Sequence, residues 1–159
     1  MMTIHPLAPY RQQVVPLFQR LWGATDMVVS SGQYDIRNLD GFVVVVDRQI
    51  VGVLSYVVKS DELEIISLDS LRPNQGIGSQ LMQAAEQLAQ EQQLHRITTI
   101  TTNDNLQALA FYQKRGYQIR AVFPDAVAKA RAIKPEIPLV AENGLPIRDE
   151  LQLAKKIQE

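Results

Sequence analysis

A glycine pair near the middle of the chain has the type and spacing of a phosphate-binding turn. An apolar run at residues 65–71 predicts a strand, and Gln75-Gly76-Ile77-Gly78-Ser79 then opens a run with helical periodicity. The first turn of a helix has N–H groups without intrahelical partners and carries the positive end of the helix dipole, so it attracts phosphate. Glycines that serve only close packing are the plainer alternative for so short a motif.

Two common phosphate loops do not fit this turn. No lysine follows the second glycine, which excludes G-x-x-x-x-G-K-[ST]. Leu81 stands where the third glycine of G-x-G-x-x-G would be.

A second block, TNDNLQALAFYQKRGY at residues 102–117, places a phenol and amide side chains on one short helix. Asp104 or Asn103 is predicted to cap this helix, and Gly116 to end it in a left-handed conformation. Taken alone, Tyr112 is expected to pack in the core.

Both blocks resemble the motifs of the GNAT N-acetyltransferase family. Gly76 and Gly78 match the glycines of its pyrophosphate loop, Q/R-x-x-G-x-G/A, while Pro73 stands at the polar position, whose role Arg72 or Gln75 could take. The second block matches N-x-x-A-x-x-[FY]-Y-x-x-x-G-[FY] at Asn105, Ala108, Phe111, Tyr112, Gly116 and Tyr117. With two blocks in the right order, the chain is identified as a member of this family.

The resemblance implies an acyltransferase that moves an acetyl group from acetyl-coenzyme A to a primary amine by direct attack. Pantetheine is expected along the fourth strand of the family fold, where a backbone N–H between Leu68 and Leu71 would polarise the thioester carbonyl. Tyr112 is expected to protonate the leaving thiolate. The cofactor-binding residues implied are Ser67, Leu68, Asp69, Ser70, Leu71, Gln75, Gly76, Ile77, Gly78, Ser79, Gln80, Asn103, Asn105, Ala108 and Tyr112.

The acceptor amine must lose a proton before it attacks, because an alkylammonium is almost fully protonated at neutral pH, and a carboxylate or a water chain facing the cleft would serve as the base. By analogy with the family, Glu64 is the first candidate, with Glu62 and Asp69 as alternatives. Simple strand alternation puts Asp69 on the opposite face from both glutamates unless a bulge, a trait of the family, intervenes. Asn105 could bind pantetheine or cap its helix.

The acceptor is predicted only as a small-molecule or peptide amine. Trp22, Tyr34, Asp35 and Arg37 are the candidate substrate-binding residues, because the family builds its acceptor pocket from these regions. The competing hypothesis is a non-catalytic acetyl-coenzyme A-binding module that regulates a partner.

Composition excludes several other classes of protein. The chain has 159 residues, 46% of them hydrophobic and 21% charged, with a net charge of -1 and no cysteine. These values predict a single globular domain, residues 1–159, without disulfides, a metal site or a nucleic-acid partner. No apolar run is long enough to cross a membrane and no signal peptide is evident, so a cytoplasmic protein is expected. The family is compatible with a homodimer.

The predicted elements are those of an α+β protein. The resemblance implies a GNAT-type mixed sheet flanked by helices, with an antiparallel meander followed by splayed parallel strands four and five. The pattern predicts an edge strand at 3–6, a helix from Pro9 to Trp22, a strand at 27–31 and a loop at 32–41. Three strands follow at 42–46, 50–58 and 62–71. After them come a helix at 77–89, a strand at 96–102 and a helix in the second block.

The last part of the chain is less regular. A strand at 118–123, a helix at 125–133 and a loop at 134–144 are predicted, and the resemblance favours a strand at 147–157 although the sequence reads almost as well as a helix. Residues 125–146 would then be an inserted segment before the last strand. Its Lys129, Arg131 and Lys134 are expected to form a solvated face.

Overall fold

A computed structural model describes residues 1–157, so positions 158 and 159 of the predicted domain lie outside the described residues. The chain divides into two compact units. Among the described residues, Met1–Met27, Tyr34–Ile97, Lys156 and Ile157 form the first, and Val28–Gln33 with Thr98–Lys155 form the second.

Apart from a strand at 32–35, where a loop is predicted, the elements follow one another in the predicted order, and they confirm the α+β class. In chain order they are β1 (Met2–Pro6), a 3-10 turn (Ala8–Tyr10), α1 (Arg11–Trp22), β2 (Asp26–Val29), β3 (Gly32–Asp35), β4 (Asp40–Val46), β5 (Gln49–Lys59), β6 (Glu62–Ser70), α2 (Ile77–Glu91), β7 (Arg96–Thr102), α3 (Leu106–Lys114), β8 (Gln118–Phe123), α4 (Ala126–Ile133) and β9 (Glu150–Lys156). No helix among the described residues is long and apolar enough to span a membrane.

The first unit is built on an antiparallel sheet in the order β1-β4-β5-β6. A two-residue turn joins β4 to β5, and both of its residues, Asp47 and Arg48, have positive φ angles of 49° and 66°. Tight hairpins need this backbone because its twist matches that of the flanking strands. The predicted hairpin is therefore confirmed.

A bulge in β6 changes which side chains share a face. Ser67 lies opposite Ser55 and Ile65 lies opposite Tyr56, so Ile66 is the extra residue. Glu64 is consequently opposite Val57 and Asp69 opposite Val53, which are four residues apart on β5. Residues directly opposite point to the same side, so the bulge puts both carboxylates on one face of the sheet.

Helices α1 and α2 cover the two faces of this sheet. Helix α1 buries Val14, Leu17 and Phe18 in a cluster that includes Val53, and it ends at Gly23 with φ 81°. The predicted helix is confirmed, with Pro16 inside it. Helix α2 packs on the other face, where Ile77 and Leu81 are fully buried. The carboxylates of β6 therefore lie on the α1 side of the sheet.

In the second unit the strands lie in the order β7-β9-β8. The predicted strand at 147–157 is confirmed over Glu150–Lys156, which pairs antiparallel with β8. A single bridge, Val140 to Pro146, occurs in the segment before it. Arg131 does not belong to a solvated face, because its guanidinium donates to the carbonyls of Ile137, Pro138 and Ile147 and holds this segment together.

Two local predictions were wrong. Residues 32–35 form a strand instead of a loop. Gly41 lies inside β4 instead of the loop, and only glycine fits there because a Cβ would collide with the Leu54 carbonyl of β5. The cap of α3 is Asn105, not Asp104 or Asn103; its Oδ1 accepts from the N–H of Ala108 at 3.1 Å.

Candidate active site

The glycine corner is an open helix N-terminus. Gly76 is the N-cap of α2 with φ 74°, and as a glycine it has no side chain with which to cap the helix. No acidic residue lies in its first turn, and a Cβ at Gly76 would have no neighbour within 4 Å. The N–H groups of a helix start without a side-chain cap are suited to an anion, and nothing negative in the first turn opposes it.

A second glycine sets the position of this corner. Gly52 in β5 lies against the first helical residue, Ile77, whose Cγ2 would be 2.3 Å from a Cβ at position 52. Leu81 Cδ1 would be 3.2 Å away. The start of α2 therefore approaches the sheet more closely than any other residue at position 52 would permit.

The backbone of β6 directs alternate N–H groups away from β5. Leu71 donates its N–H to the carbonyl of Val51 at 2.8 Å, which makes these two a hydrogen-bonded pair. Because such pairs alternate in an antiparallel ladder, the N–H groups of Leu68 and Ser70 point away from β5. The N–H of Leu71 is therefore used within the sheet, and in the predicted stretch from Leu68 to Leu71 the N–H groups that point away from β5 are those of Leu68 and Ser70.

Glu64 is buried and lies in a cluster with a cation and a phenol. Its Oε1 is 3.4 Å from Nζ of Lys59 and accepts from the Tyr34 hydroxyl at 3.4 Å. Lys59 also donates to the Tyr34 oxygen. Burial alone would lower the pKa of Lys59, but its contacts with Tyr34 and Glu64 raise that pKa above the ordinary value. Lys59 is therefore an ammonium that compensates the Glu64 carboxylate.

Asp69 contacts an indole instead of a cation. Nε1 of Trp22 donates to its Oδ2 at 3.0 Å. The indole ring stacks on Phe18 with centroids 5.4 Å apart. Burial raises the pKa of Asp69, and the hydrogen bond from Trp22 opposes that shift. The structure thus brings the predicted acceptor residue Trp22 to the candidate base Asp69.

Other charges of the predicted site pair locally. Asp35 accepts from the guanidinium of Arg37 at 2.9 and 2.7 Å, and this pairing lowers the pKa of Asp35 to about 2. The carboxylate of Glu62 lies 3.2 Å from Nε of Arg96. The geometry therefore joins Trp22 and Tyr34 to candidate carboxylates, whereas Asp35 and Arg37 neutralise each other.

In the second unit, α3 holds the predicted acid in an aromatic cluster. Tyr112 is buried, and its ring meets the rings of Phe111 and Tyr117 edge-on at 5.4 and 5.6 Å. Asn105 uses its oxygen as the helix cap, and its amide nitrogen is a donor that could bond pantetheine.

Asn103 holds the loop that precedes β9. Its Oδ1 accepts from the N–H groups of Arg148 and Asp149 at 3.0 and 2.9 Å, and its Nδ2 donates to the Pro146 carbonyl at 2.9 Å. These bonds give its side chain a structural role.

Sequence reasoning missed Lys59 and Gly52. The role of Gly52 could have been predicted, since a glycine inside a β-branched strand often marks a place where another part of the chain or a ligand lies close to the strand. Lys59 had none, because its contact with Glu64 depends on the length of the turn between β5 and β6.

Comparisons with known proteins agree with the family resemblance of the two sequence blocks. The sequence matches the acetyltransferase (GNAT) family across residues 8–117. It is 49% identical over 159 residues to the uncharacterized protein YxbD of Bacillus subtilis (strain 168), covering 99% of this chain and 100% of that one.

Solved structures share the fold at low identity. The ribosomal-protein-S18-alanine N-acetyltransferase of Escherichia coli superimposes with a TM-score of 0.72 at 14% identity, covering 100% of this chain and 96% of that one. A GNAT family acetyltransferase of Elizabethkingia anophelis with acetyl-CoA bound gives 0.69 at 21% identity, covering 98% and 97%. The glycine corner, the second sequence block and these matches lead to one conclusion: the chain belongs to the acetyltransferase (GNAT) family.

Proposed function

We propose that this protein transfers the acetyl group of acetyl-coenzyme A to a primary amine of a small molecule or peptide, acting in the cytoplasm, where acetyl-coenzyme A is available. The observation that carries the proposal is the start of α2, where a glycine with a left-handed backbone is the N-cap and no acidic residue lies in the first turn. Family membership supports the same cofactor.

The cofactor is proposed to lie along two adjoining backbone segments of the first unit. Its diphosphate would rest on residues 75–80, where the dipole of α2 favours negative charge. Its pantetheine arm would follow residues 67–71, with the N–H of Leu68 or Ser70 at the thioester oxygen. Preorganised donors of this kind are worth about 3 kcal/mol when charge develops on that oxygen.

The reaction needs no covalent enzyme intermediate. The neutral amine attacks the thioester carbonyl carbon, and a C–N bond forms while the carbonyl oxygen becomes an oxyanion. Collapse of the tetrahedral species breaks the C–S bond, and the leaving thiolate takes the phenolic proton of Tyr112. The nitrogen releases its extra proton through solvent to form the neutral amide, and a solvent proton restores the phenol. One of the β6 carboxylates, Glu62, Glu64 or Asp69, accepts the proton that the ammonium must lose.

Calorimetric titration with two ligands tests the cofactor proposal. Acetyl-coenzyme A should bind at least about 100-fold more tightly than acetylated pantetheine, which lacks the diphosphate, because charge-assisted hydrogen bonds contribute about 1.5–3 kcal/mol each. Gly78→Val should remove most of this difference, since its side chain would occupy the phosphate path. Gln83→Val, at an exposed position of the same helix, is the matched control and should bind as wild type does.

Equal affinity for both ligands would contradict the proposal. Tight binding of acetyl-coenzyme A without turnover of any amine would instead favour the regulatory module.

A further inference from the structure

We infer that Asp69 and Trp22 bind the ammonium group of the acceptor, so that the substrate is a cationic amine with no carboxylate next to its amino group. The inference rests on the proposed acetyl transfer and names the class of its acceptor. It depends on how charge is distributed over the α1 face of β6.

Asp69 is the one β6 carboxylate on this face whose charge lacks a cationic partner among the described residues. Glu62 lies beside Arg96, and Glu64 beside Lys59. Asp69 receives only the indole N–H of Trp22. A half-buried carboxylate with a single neutral donor has unused acceptor capacity, and a cation is the partner that best offsets the cost of its burial.

The surroundings of Asp69 also attract positive charge. Trp22 is the last residue of the twelve-residue helix α1, so the negative end of that helix dipole lies next to the carboxylate. The indole is 47% exposed while it stacks on Phe18, which leaves part of its surface available to a ligand. Aromatic rings bind ammonium groups through their negative faces.

The position of Asp69 depends on the bulge at Ile66. Without that extra residue, Asp69 would point to the α2 face and Trp22 could not reach it. With it, Asp69 lies on the same face as the buried Ser55–Ser67 hydrogen bond and two positions beyond Ser67. The charge is therefore located on the segment of β6 along which the thioester is proposed to lie.

The single uncompensated carboxylate of Asp69 favours a substrate that carries an ammonium group and no negative charge beside it. An α-amino acid would bring its own carboxylate toward Asp69 and be repelled, whereas the corresponding amine would pair with it. Acetylation turns the ammonium into a neutral amide, which can no longer form this ion pair. The product should therefore bind more weakly than the substrate and leave.

Matched acceptor pairs test this inference with the wild-type protein. Each pair is a primary amine and the α-amino acid with the same side chain, for example 2-phenylethylamine with phenylalanine and butylamine with norvaline. Turnover with saturating acetyl-coenzyme A should favour the amine by about tenfold or more in kcat/KM in each pair. Equal or reversed preference, or no turnover of any cationic amine in the panel, would overturn the inference.

Variants separate substrate binding from a structural role. Asp69→Asn keeps the shape of the side chain and should raise the KM of the preferred amine about 10- to 100-fold, while the KM of acetyl-coenzyme A stays within about twofold. It should also reduce the preference for amine over amino acid. Trp22→Phe, which keeps a ring but loses the N–H, should raise the amine KM less. Asp61→Asn, in an exposed turn, is the control.

A parallel rise in both KM values for Asp69→Asn would indicate a structural role and contradict the inference. If acetyl-coenzyme A binds and its acetyl group passes only to primary amines that are not cationic or that carry a carboxylate next to the amino group, the inference fails while the proposed transfer stands. If acetyl-coenzyme A does not bind, the proposed function itself fails.

Discussion

Gly52→Ala should weaken cofactor binding although position 52 lies beneath the cofactor site. The added methyl would be 2.3 Å from Cγ2 of Ile77, whereas carbon atoms pack at about 3.5–4.0 Å, so Ile77 must move by roughly 1.2 Å or more. Ile77 is β-branched and begins α2, so its methyl cannot simply rotate away and the first turn must shift with it.

The displacement sets the size of the effect. A phosphate hydrogen bond of about 2.9 Å that lengthens by an ångström is no longer a hydrogen bond. Losing one charge-assisted bond costs about 1.5–3 kcal/mol, which is a 10- to 100-fold rise in the Kd for coenzyme A. Overpacking should also reduce the free energy of unfolding by about 1–3 kcal/mol.

The assay is calorimetric titration with coenzyme A, accompanied by thermal melts. A double variant supplies the control: Ile77→Ala removes the colliding methyl, so Gly52→Ala/Ile77→Ala should bind and melt more like wild type than the sum of the single changes predicts. Unchanged affinity in Gly52→Ala, or strictly additive effects in the double variant, would refute the close-packing argument.

Three further changes probe other parts of the structure. Because burial raises the pKa of Asp69, the folded state holds the carboxyl proton more tightly than the unfolded chain does. The stability that the protonated carboxyl contributes is present below its ordinary pKa of 3.8 and lost as the pH rises. Asp69→Asn should therefore raise Tm at pH 7 with a difference that vanishes near pH 3, and a constant difference would contradict this. Asn105→Ala removes the cap of α3 and should lower the free energy of unfolding by about 1 kcal/mol, or ~2–4 °C in Tm. Gln107→Ala, at an exposed position of the same helix, is the control, and an unchanged Tm in Asn105→Ala would count against the cap. Lys59→Met leaves the Glu64 carboxylate without its cation and should lower the free energy of unfolding by about 1 kcal/mol, a modest amount because Lys59 is partly exposed. Adding Glu64→Gln should recover most of this stability, as measured by chemical denaturation.

Most of the architecture could be predicted because local patterns and tertiary packing agree. The β-branched runs of β4, β5 and β7 form strands, and the helical periodicity of α1 and α2 is confirmed. For residues 147–157 periodicity left two alternatives, and only pairing with β8 decides the outcome. The strand at 32–35 was missed because its sequence, Gly-Gln-Tyr-Asp, has little β propensity and depends on β2 for pairing.

The site was harder to predict than the fold because its chemistry depends on register. A single extra residue, Ile66, decides whether Asp69 shares a face with Glu64, and the residues alone do not locate a bulge. The pairing of Glu64 with Lys59, which places a cation beside a candidate base, depends on the length of the turn between β5 and β6, and Tyr34 contacts both side chains. The glycine corner, by contrast, is encoded in a few consecutive residues, so the sequence predicts the start of α2 there, and the second block adds the family resemblance.

The central claim is acetyl transfer from a thioester held at the glycine corner, with the phenol of Tyr112 as the acid. Its most direct test is release of free coenzyme A thiol from acetyl-coenzyme A with a panel of primary amines, with the acetamide product confirmed by mass spectrometry. We predict that wild type forms thiol and acetamide in equal amounts, and that Tyr112→Phe lowers kcat about 100-fold while coenzyme A binds as tightly as before. A Tyr112→Phe protein that turns over as fast as wild type, or a wild type that binds acetyl-coenzyme A but acetylates no amine, would contradict the account.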